Sequence, residues 1–317
     1  MSQGDRNIGT MYGSADSGTF RGLPACRDLN ALEADIALLG VACATPYRSV
    51  GAYCAEAPAA IRAAMAHYSA TVSHYDFDFG GPWLGTGGAR AVDCGDLAVD
   101  ENDAAGNREK IRAAVSTVLD RGAVPVILGG DDSVPIPMLQ AFEGRGRYTI
   151  LQLDAHIDFR DEVDGERFGL SSTMRRASEL ASIERIIQVG QRGVGSARPA
   201  DYEAALAHGV KFVPARAIDA KGIGQVLDLV PKDAEVLIAF DCDVLDPAIM
   251  PGVIGRAQGG LDYWQAAGII EGVAERARIA AFDLVEFMPA RDVGGLGALL
   301  AGRILAYTIG VLARAKR

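Results

Sequence analysis

The chain reads as a single α/β domain with helices on both sides of a parallel sheet, and two observations predict this. Its core strands are continuously apolar instead of alternating, as in "TILQL" and "VLIAF", which is how strands buried on both faces read. Between them lie alanine-rich stretches of helical character, with no linker, repeat or low-complexity segment to divide the chain. At 317 residues, 49% of them hydrophobic, the chain is long enough to bury a large core.

The elements follow in order. Residues 1–34 open polar and glycine-rich and are expected to form an N-terminal tail or arm, with 35–317 as the domain. "ADIALLGVA" predicts a strand, "APAAIRAAMAHYS" a helix, "ARAVDCGDLAV" a strand, and "GNREKIRAAVSTVLDRG" a helix closed by Gly122. "AVPVILGG" is the next strand, "VPIPMLQAFE" a helix opening, "YTILQLDAHID" a strand and "LSSTMRRASEL" a helix. "RIIQVGQRG", "VKFVPA" and "EVLIAFDCDVLDP" are strands separated by the helices "PADYEAALAHG" and "IGQVLDLV". "GGLDYWQAAGIIEGVAER" is a helix, "IAAFDLVEF" the last strand and "GALLAGRILAYTIGVLARAKR" the closing helix.

Composition narrows the function. The net charge of -10 is spread along the chain with no basic run, which argues against nucleic acid and favours a small cationic partner. The five cysteines are scattered and lack C-x-x-C spacing, so reduced thiols and a cytoplasmic protein are expected. The N-terminus lacks the apolar core of a signal peptide, and no membrane partner is expected.

Ligands of open parallel sheets bind outside the carboxyl ends of the strands. Acids gather at these ends: Asp131 and Asp132 after "VILGG", Asp154 and Asp158 with His156 after "TILQL", and Asp241, Asp243 and Asp246 after "VLIAF". Asp283 and Glu286 lie within "AFDLVEF", where alternation would put them on opposite sides, Glu286 being the better pocket candidate. So many carboxylates in one cleft need positive compensation, and divalent ions supply it. Mostly oxygen donors with one imidazole suit manganese or a similar borderline-hard ion. Asp246, before Pro247, is expected to cap a turn.

Four motifs, "LGGDDS", "QLDAHID", "AFDCDVLDP" and "FDLVEFMP", resemble in order and spacing the signatures of the ureohydrolase family of arginase, agmatinase and guanidinobutyrase, in its agmatinase-like branch. Weaker echoes are "GAYCAEAPAAIR", "VDCGD", "IQVGQRG" and "DVGGLGALLAGRIL", and the likeness spans about residues 35 to 312. The resemblance implies a three-layer α/β/α fold, two divalent metal ions (manganese, with nickel in some members), and trimers or hexamers. Carried over by position, Asp154 and Asp241 would bridge the ions, Asp132 and Asp158 would complete one site, and His156 and Asp243 the other. Glu286 matches the glutamate that holds the guanidinium, and Glu286 and Asp158 are the expected catalytic residues. A guanidinium carbon is a poor electrophile, and coordination makes a strong nucleophile available near neutral pH by lowering the pKa of bound water.

Three departures qualify this expectation. The family has histidine where this chain has Asp132, so five aspartates and one histidine leave the site one unit more negative, which is expected to raise the pKa of bound water or favour a harder ion, while the shorter reach of aspartate is expected to leave one ion site weak or empty. Leu170 stands where the family has a proton-shuttling histidine. In "PGVIGRAQGGL" Ile254, Arg256 and Gln258 replace residues that line the substrate pocket, and Arg256 is expected to meet the substrate.

The leading expectation is therefore metal-dependent hydrolysis at a guanidinium or biguanide carbon of a small guanidino compound, by a homo-oligomer. The alternative is a catalytically degenerate subunit that supports an active homologue in a hetero-oligomer. A single-metal deacetylase-like amidohydrolase is disfavoured by "DCDVLDP" and "FDLVE".

Overall fold

The computed structural model describes residues 18–315 apart from Val194 and Ser196. The first 17 residues of the expected arm, and Lys316 and Arg317 of the expected closing helix, lie outside the described residues.

The strands are β1 (Ile36–Gly40), β2 (Tyr75–Asp76), β3 (Gly81–Pro82), β4 (Ala91–Asp96), β5 (Val124–Leu128), β6 (Tyr148–Leu153), β7 (Ile183–Val189), β8 (Lys211–Val213), β9 (Glu235–Asp241) and β10 (Arg278–Val285). β2 and β3 form a small antiparallel hairpin. The other eight make one parallel sheet in the order β4-β1-β5-β10-β9-β6-β7-β8.

The helices are α1 (Ala57–Met65), α2 (Ala104–Asp120), α3 (Pro135–Gln140), α4 (Thr173–Ala177), α5 (Pro199–Ala207), α6 (Ala215–Lys221), α7 (Gly224–Leu229), α8 (Tyr263–Arg276) and α9 (Leu296–Arg314). They divide between the two faces. α1, α6, α7, α8 and α9 pack with Val126, Ile238 and Phe240 in one core, whereas α2, α3, α4 and α5 pack with Ile127, Leu237 and Ala239 in the other. Neighbouring residues of one strand thus enter different cores, which is why the strands are apolar throughout. Asp262 caps α8 by accepting from Gln265 N while Gln265 returns a bond to the Asp262 backbone, worth about 1 kcal/mol.

α9 is 19 residues long with a mean hydropathy of 1.8, enough to cross a membrane by length and composition. Two-thirds of it (67%) is buried inside the domain, so a place in the core accounts for its apolar character.

The described part of the expected arm packs onto the domain. Phe20 is fully buried, and Asp93 accepts a hydrogen bond from its N–H (2.7 Å) while pairing with Arg62 Nε (2.8 Å). Pro24 to Cys26 run alongside β4, the edge strand, through a parallel bridge between Ala25 and Asp93. Covering an edge in this way removes a template for unwanted pairing.

Candidate metal centre

The four acid-bearing strands are adjacent, β5-β10-β9-β6. Their register aligns Leu128 with Leu284, Leu284 with Phe240, and Phe240 with Leu153, so the residues that follow leave the sheet at one level. Two glycines make the first exit possible: a Cβ on Gly130 would lie 2.1 Å from the Ala42 carbonyl oxygen. Only glycine lets the loop pass so close to the end of β1.

Beyond these ends the side chains do not alternate as in a strand. β6 stops at Leu153, Asp158 takes a left-handed conformation (φ 40°), and Cys242–Val244 form a 3₁₀ turn. The acids nevertheless converge. Oxygens of Asp132, Asp154 and Asp158 lie within 4.8 Å of one another, as do donor atoms of Asp154, His156 and Asp243. Asp154 belongs to both triads. Asp241 is in neither triad; its Oδ1 accepts from Asp243 N at 2.6 Å. Glu286, just past β10 and also left-handed (φ 65°), accepts at Oε1 from Tyr53 Oη (2.6 Å) and Asp132 N (2.8 Å).

The electrostatics suit cations. Burial pushes Asp132, Asp158 and Asp241 well above the usual carboxylate range, and the neighbouring carboxylates push the same way. Burial also raises Asp154, and raises Glu286 to about 8. Burial opposes the charged form of His156, yet its hydrogen bonds to Asp154 and Asp243 win and lift it to about 12. Burial would raise Asp243 too, but the hydrogen bond and charge of His156 hold it low. Asp132 Oδ2 is buried without any hydrogen-bond partner. A buried anionic oxygen left bare costs several kcal/mol, and a bound cation removes that cost. The donor set is therefore fitted to divalent ions: Asp132, Asp154 and Asp158 would hold one, and Asp154, His156 and Asp243 the other.

The acids outside the triads do other work. Asp131 caps its own loop by accepting from Ser133 N (2.9 Å) and Ser133 Oγ. Asp246 accepts from Ala248, Gly259 and Gly260 N–H groups, the turn-capping role that its place before proline predicts. Asp283 is fully buried and accepts from Phe240 N (3.2 Å), and burial raises its carboxyl to about 8.

Several residues at the site have little or no sequence signature. Gln188 donates to Gln152 Oε1, and Gln152 Nε2 donates to Asp154 Oδ2 at 2.6 Å, so an amide chain fixes the shared ligand. The available signal is a glutamine inside each of two otherwise apolar strands. Arg192 ties the loops together by donating to the carbonyls of Gly190, Asp243, Leu245 and Ala257. Gly255 lets the 251–258 loop close over His156, since a Cβ there would sit 2.8 Å from the imidazole Cε1.

Arg256 is exposed, and its guanidinium is engaged by backbone: Nε donates to Pro251 O (2.7 Å) and Nη2 to Arg291 O (3.0 Å). Leu170 opens a 3₁₀ turn before α4, and the adjacent Ser171 lines a small cavity of about 50 Å³ with His156 and Asp158. No second histidine stands there: His208 packs on Phe159, His67 on Tyr68, and His74 follows Thr71 in a loop. The roomier clefts, of about 510 and 530 Å³, lie along α9 and the β2–β3 hairpin and contain none of the clustered acids.

Fold and site define a three-layer α/β protein with a carboxylate-rich centre for divalent cations at the ends of four parallel strands. The chain belongs to the arginase family, whose sequence model matches residues 34–310. It is 34% identical over 227 residues to the mitochondrial agmatinase of Gallus gallus, covering 70% of this chain and 66% of that protein. It is 30% identical over 227 residues to the guanidinobutyrase of Pseudomonas aeruginosa, covering 70% of each. Among solved structures, proclavaminate amidino hydrolase from Streptomyces clavuligerus superposes with a TM-score of 0.79 at 27% identity, over 94% of this chain and 97% of that one.

Proposed function

We propose that the protein is a metal-dependent hydrolase of a small guanidino compound, cleaving a C–N bond at the guanidinium or biguanide carbon. The observation that carries this reading is the pair of donor triads sharing Asp154, with Glu286 anchored beside them through Asp132 N. Relatives named agmatinase and guanidinobutyrase support the substrate class.

Bound divalent ions, manganese first and nickel second, would supply a water acidic enough to attack near neutral pH. The chain's own groups do the rest. Glu286 binds the planar cation: Tyr53 and Asp132 N occupy Oε1, and Oε2 has no protein donor among the described residues and is left for a guanidinium N–H. Asp158, which would hold one ion through its carboxylate, would also take the proton from the attacking water and pass it toward the leaving amine. Arg256 acts on the substrate through the loop it clamps, by setting how closely residues 251–258 cover the site.

The test is ion analysis of purified protein together with urea and amine release from a panel of guanidines, guanidino acids and biguanides, with manganese or nickel added. Two ions per chain and turnover of at least one compound are expected. Inertness across the panel with both ions loaded would overturn the reading. Activity only after co-expression with a homologue would favour the supporting-subunit reading, for which the leucine at position 170 is the motivating observation.

Tyr53→Phe removes one charge-assisted hydrogen bond from Glu286 and leaves the acid clusters untouched. KM is expected to rise on the order of tenfold, with ion content unchanged. An equal fall in kcat at constant KM would show that Tyr53 acts on the reaction itself.

A further inference from the structure

Two of the scattered cysteines, expected as reduced thiols, meet at the edge of the sheet. Asp93 N donates to Pro24 O (2.9 Å) and Cys26 N donates to Asp93 O (3.0 Å), so Cys26 lies alongside Cys94 across a parallel bridge. Strands paired in this way run about 4.8 Å apart. That spacing falls inside the roughly 4.4–6.8 Å between Cα atoms that a disulfide spans.

The side chains also share a face. Both pack against the core formed with α2 to α5, and the Cys26 thiol, which donates to Asp28 O (3.3 Å), is close enough to Cys94 to raise its thiol. Each is partly exposed, whereas Cys43, Cys54 and Cys242 are buried. A third group completes the arrangement. A Cβ on Gly95, whose φ is +79°, would lie 2.0 Å from Arg27 Nη1, so the guanidinium rests directly on the backbone next to Cys94. Burial raises the Cys94 thiol by more than the Arg27 charge lowers it.

We infer that Cys26 and Cys94 form a reversible disulfide that staples the segment before β1 to the edge strand β4. The oxidant is a low-molecular-weight disulfide such as oxidised glutathione. The Cys26 thiolate attacks one sulfur of the reagent, breaking its S–S bond and releasing one glutathione thiolate, which takes up a proton from solvent. Cys94 then gives its proton to solvent and attacks Cys26 Sγ. The Cys26–Cys94 bond forms and the second glutathione leaves: two protein thiols are oxidised and one disulfide is reduced. The order follows from the surroundings. Burial, with Cys26 beside it, pushes the Cys94 thiol up to about 12, so it serves as the resolving group and not as the first nucleophile. The bond encloses β1, α1 and the β2–β3 hairpin, a long loop of the kind whose closure most restricts the unfolded chain.

The test uses the full chain, reduced and then incubated with excess oxidised glutathione, with thiol counting under denaturing conditions and peptide mapping. Two of the five thiols should disappear, the Cys26 and Cys94 peptides should be linked, and no glutathione should remain attached. The melting temperature of the oxidised form should rise by about 5 °C or more, and a reductant should reverse both changes. Cys26→Ser and Cys94→Ser should each abolish the link and the shift, and far-ultraviolet circular dichroism checks that both variants remain folded. Retention of all five thiols, a stable mixed disulfide with glutathione in place of the link, or a link between any other pair would overturn the inference.

Discussion

Asp154→Asn should empty both ion sites at once and lower guanidine turnover at least about 10³-fold, because Asp154 is the one residue common to the two triads. The amide also reverses the hydrogen bonding. Asp154 Oδ1 accepts from His156 N (2.5 Å) and Oδ2 from Gln152 Nε2 (2.6 Å), so whichever way the asparagine turns, its NH₂ faces a donor. Loss of activity alone would not separate loss of ions from misfolding, and melting does. In ion-free protein the substitution removes one charge from a mutually repelling group but sets an amide NH₂ against a donor and takes a partner from His156, so the readout is the gain in melting temperature on adding ions and not the ion-free value. In the wild type, manganese at 100 times its Kd should stabilise the fold by about 2.7 kcal/mol through binding to the native state alone. The variant should show no such gain. A variant that still gains stability from manganese would contradict the assignment of Asp154 as the shared ligand.

Much of this centre is legible in the sequence because its acids follow apolar strands directly, where few structural roles call for clustered carboxylates. Asp132, Asp154, His156, Asp158 and Asp243 could be placed together from the strand-end rule alone. The rule does not carry the order β5-β10-β9-β6, which depends on long-range pairing and not on local pattern. Nor does alternation survive past the strands. Asp158 reaches the cluster through a left-handed residue and Asp243 through a 3₁₀ turn, conformations that a period-two reading cannot anticipate. Helix α6, within "VPARAIDAKG", is short and has no capping side chain, so nothing local announces it. The same limit hides Tyr53, whose contact with Glu286 spans 233 positions of the chain.

Asp132→His should raise the affinity for the second ion by about 10²-fold, equivalent to about 2.7 kcal/mol. Two physical effects oppose each other, and reach is expected to win. Counting Asp241 beside the four aspartates of the triads, the site is one unit more negative than two divalent ions balance; a neutral imidazole removes that unit, and with it part of the attraction that the crowded Asp132, Asp154 and Asp158 exert on a cation. The imidazole reaches farther than the carboxylate, whose Oδ2 has no partner where it now stands. The backbone should tolerate the change, since Asp132 N holds Glu286 and Asp132 O accepts from Thr173 Oγ1, bonds that do not involve the replaced side chain. The larger ring brings an overpacking cost of roughly 1–3 kcal/mol, which would be read as a lower melting temperature before ions are added. Asp132→Asn separates the two effects, because it removes the charge without extending the reach. If charge decides, both variants should bind the second ion more weakly than the wild type; if reach decides, histidine should gain and only asparagine should lose. Manganese titration by calorimetry distinguishes these outcomes. A histidine variant that binds no tighter and hydrolyses guanidines more slowly would mean that Asp132 is fitted to its present ion, and that the departure from the family's histidine belongs to the chemistry of this protein.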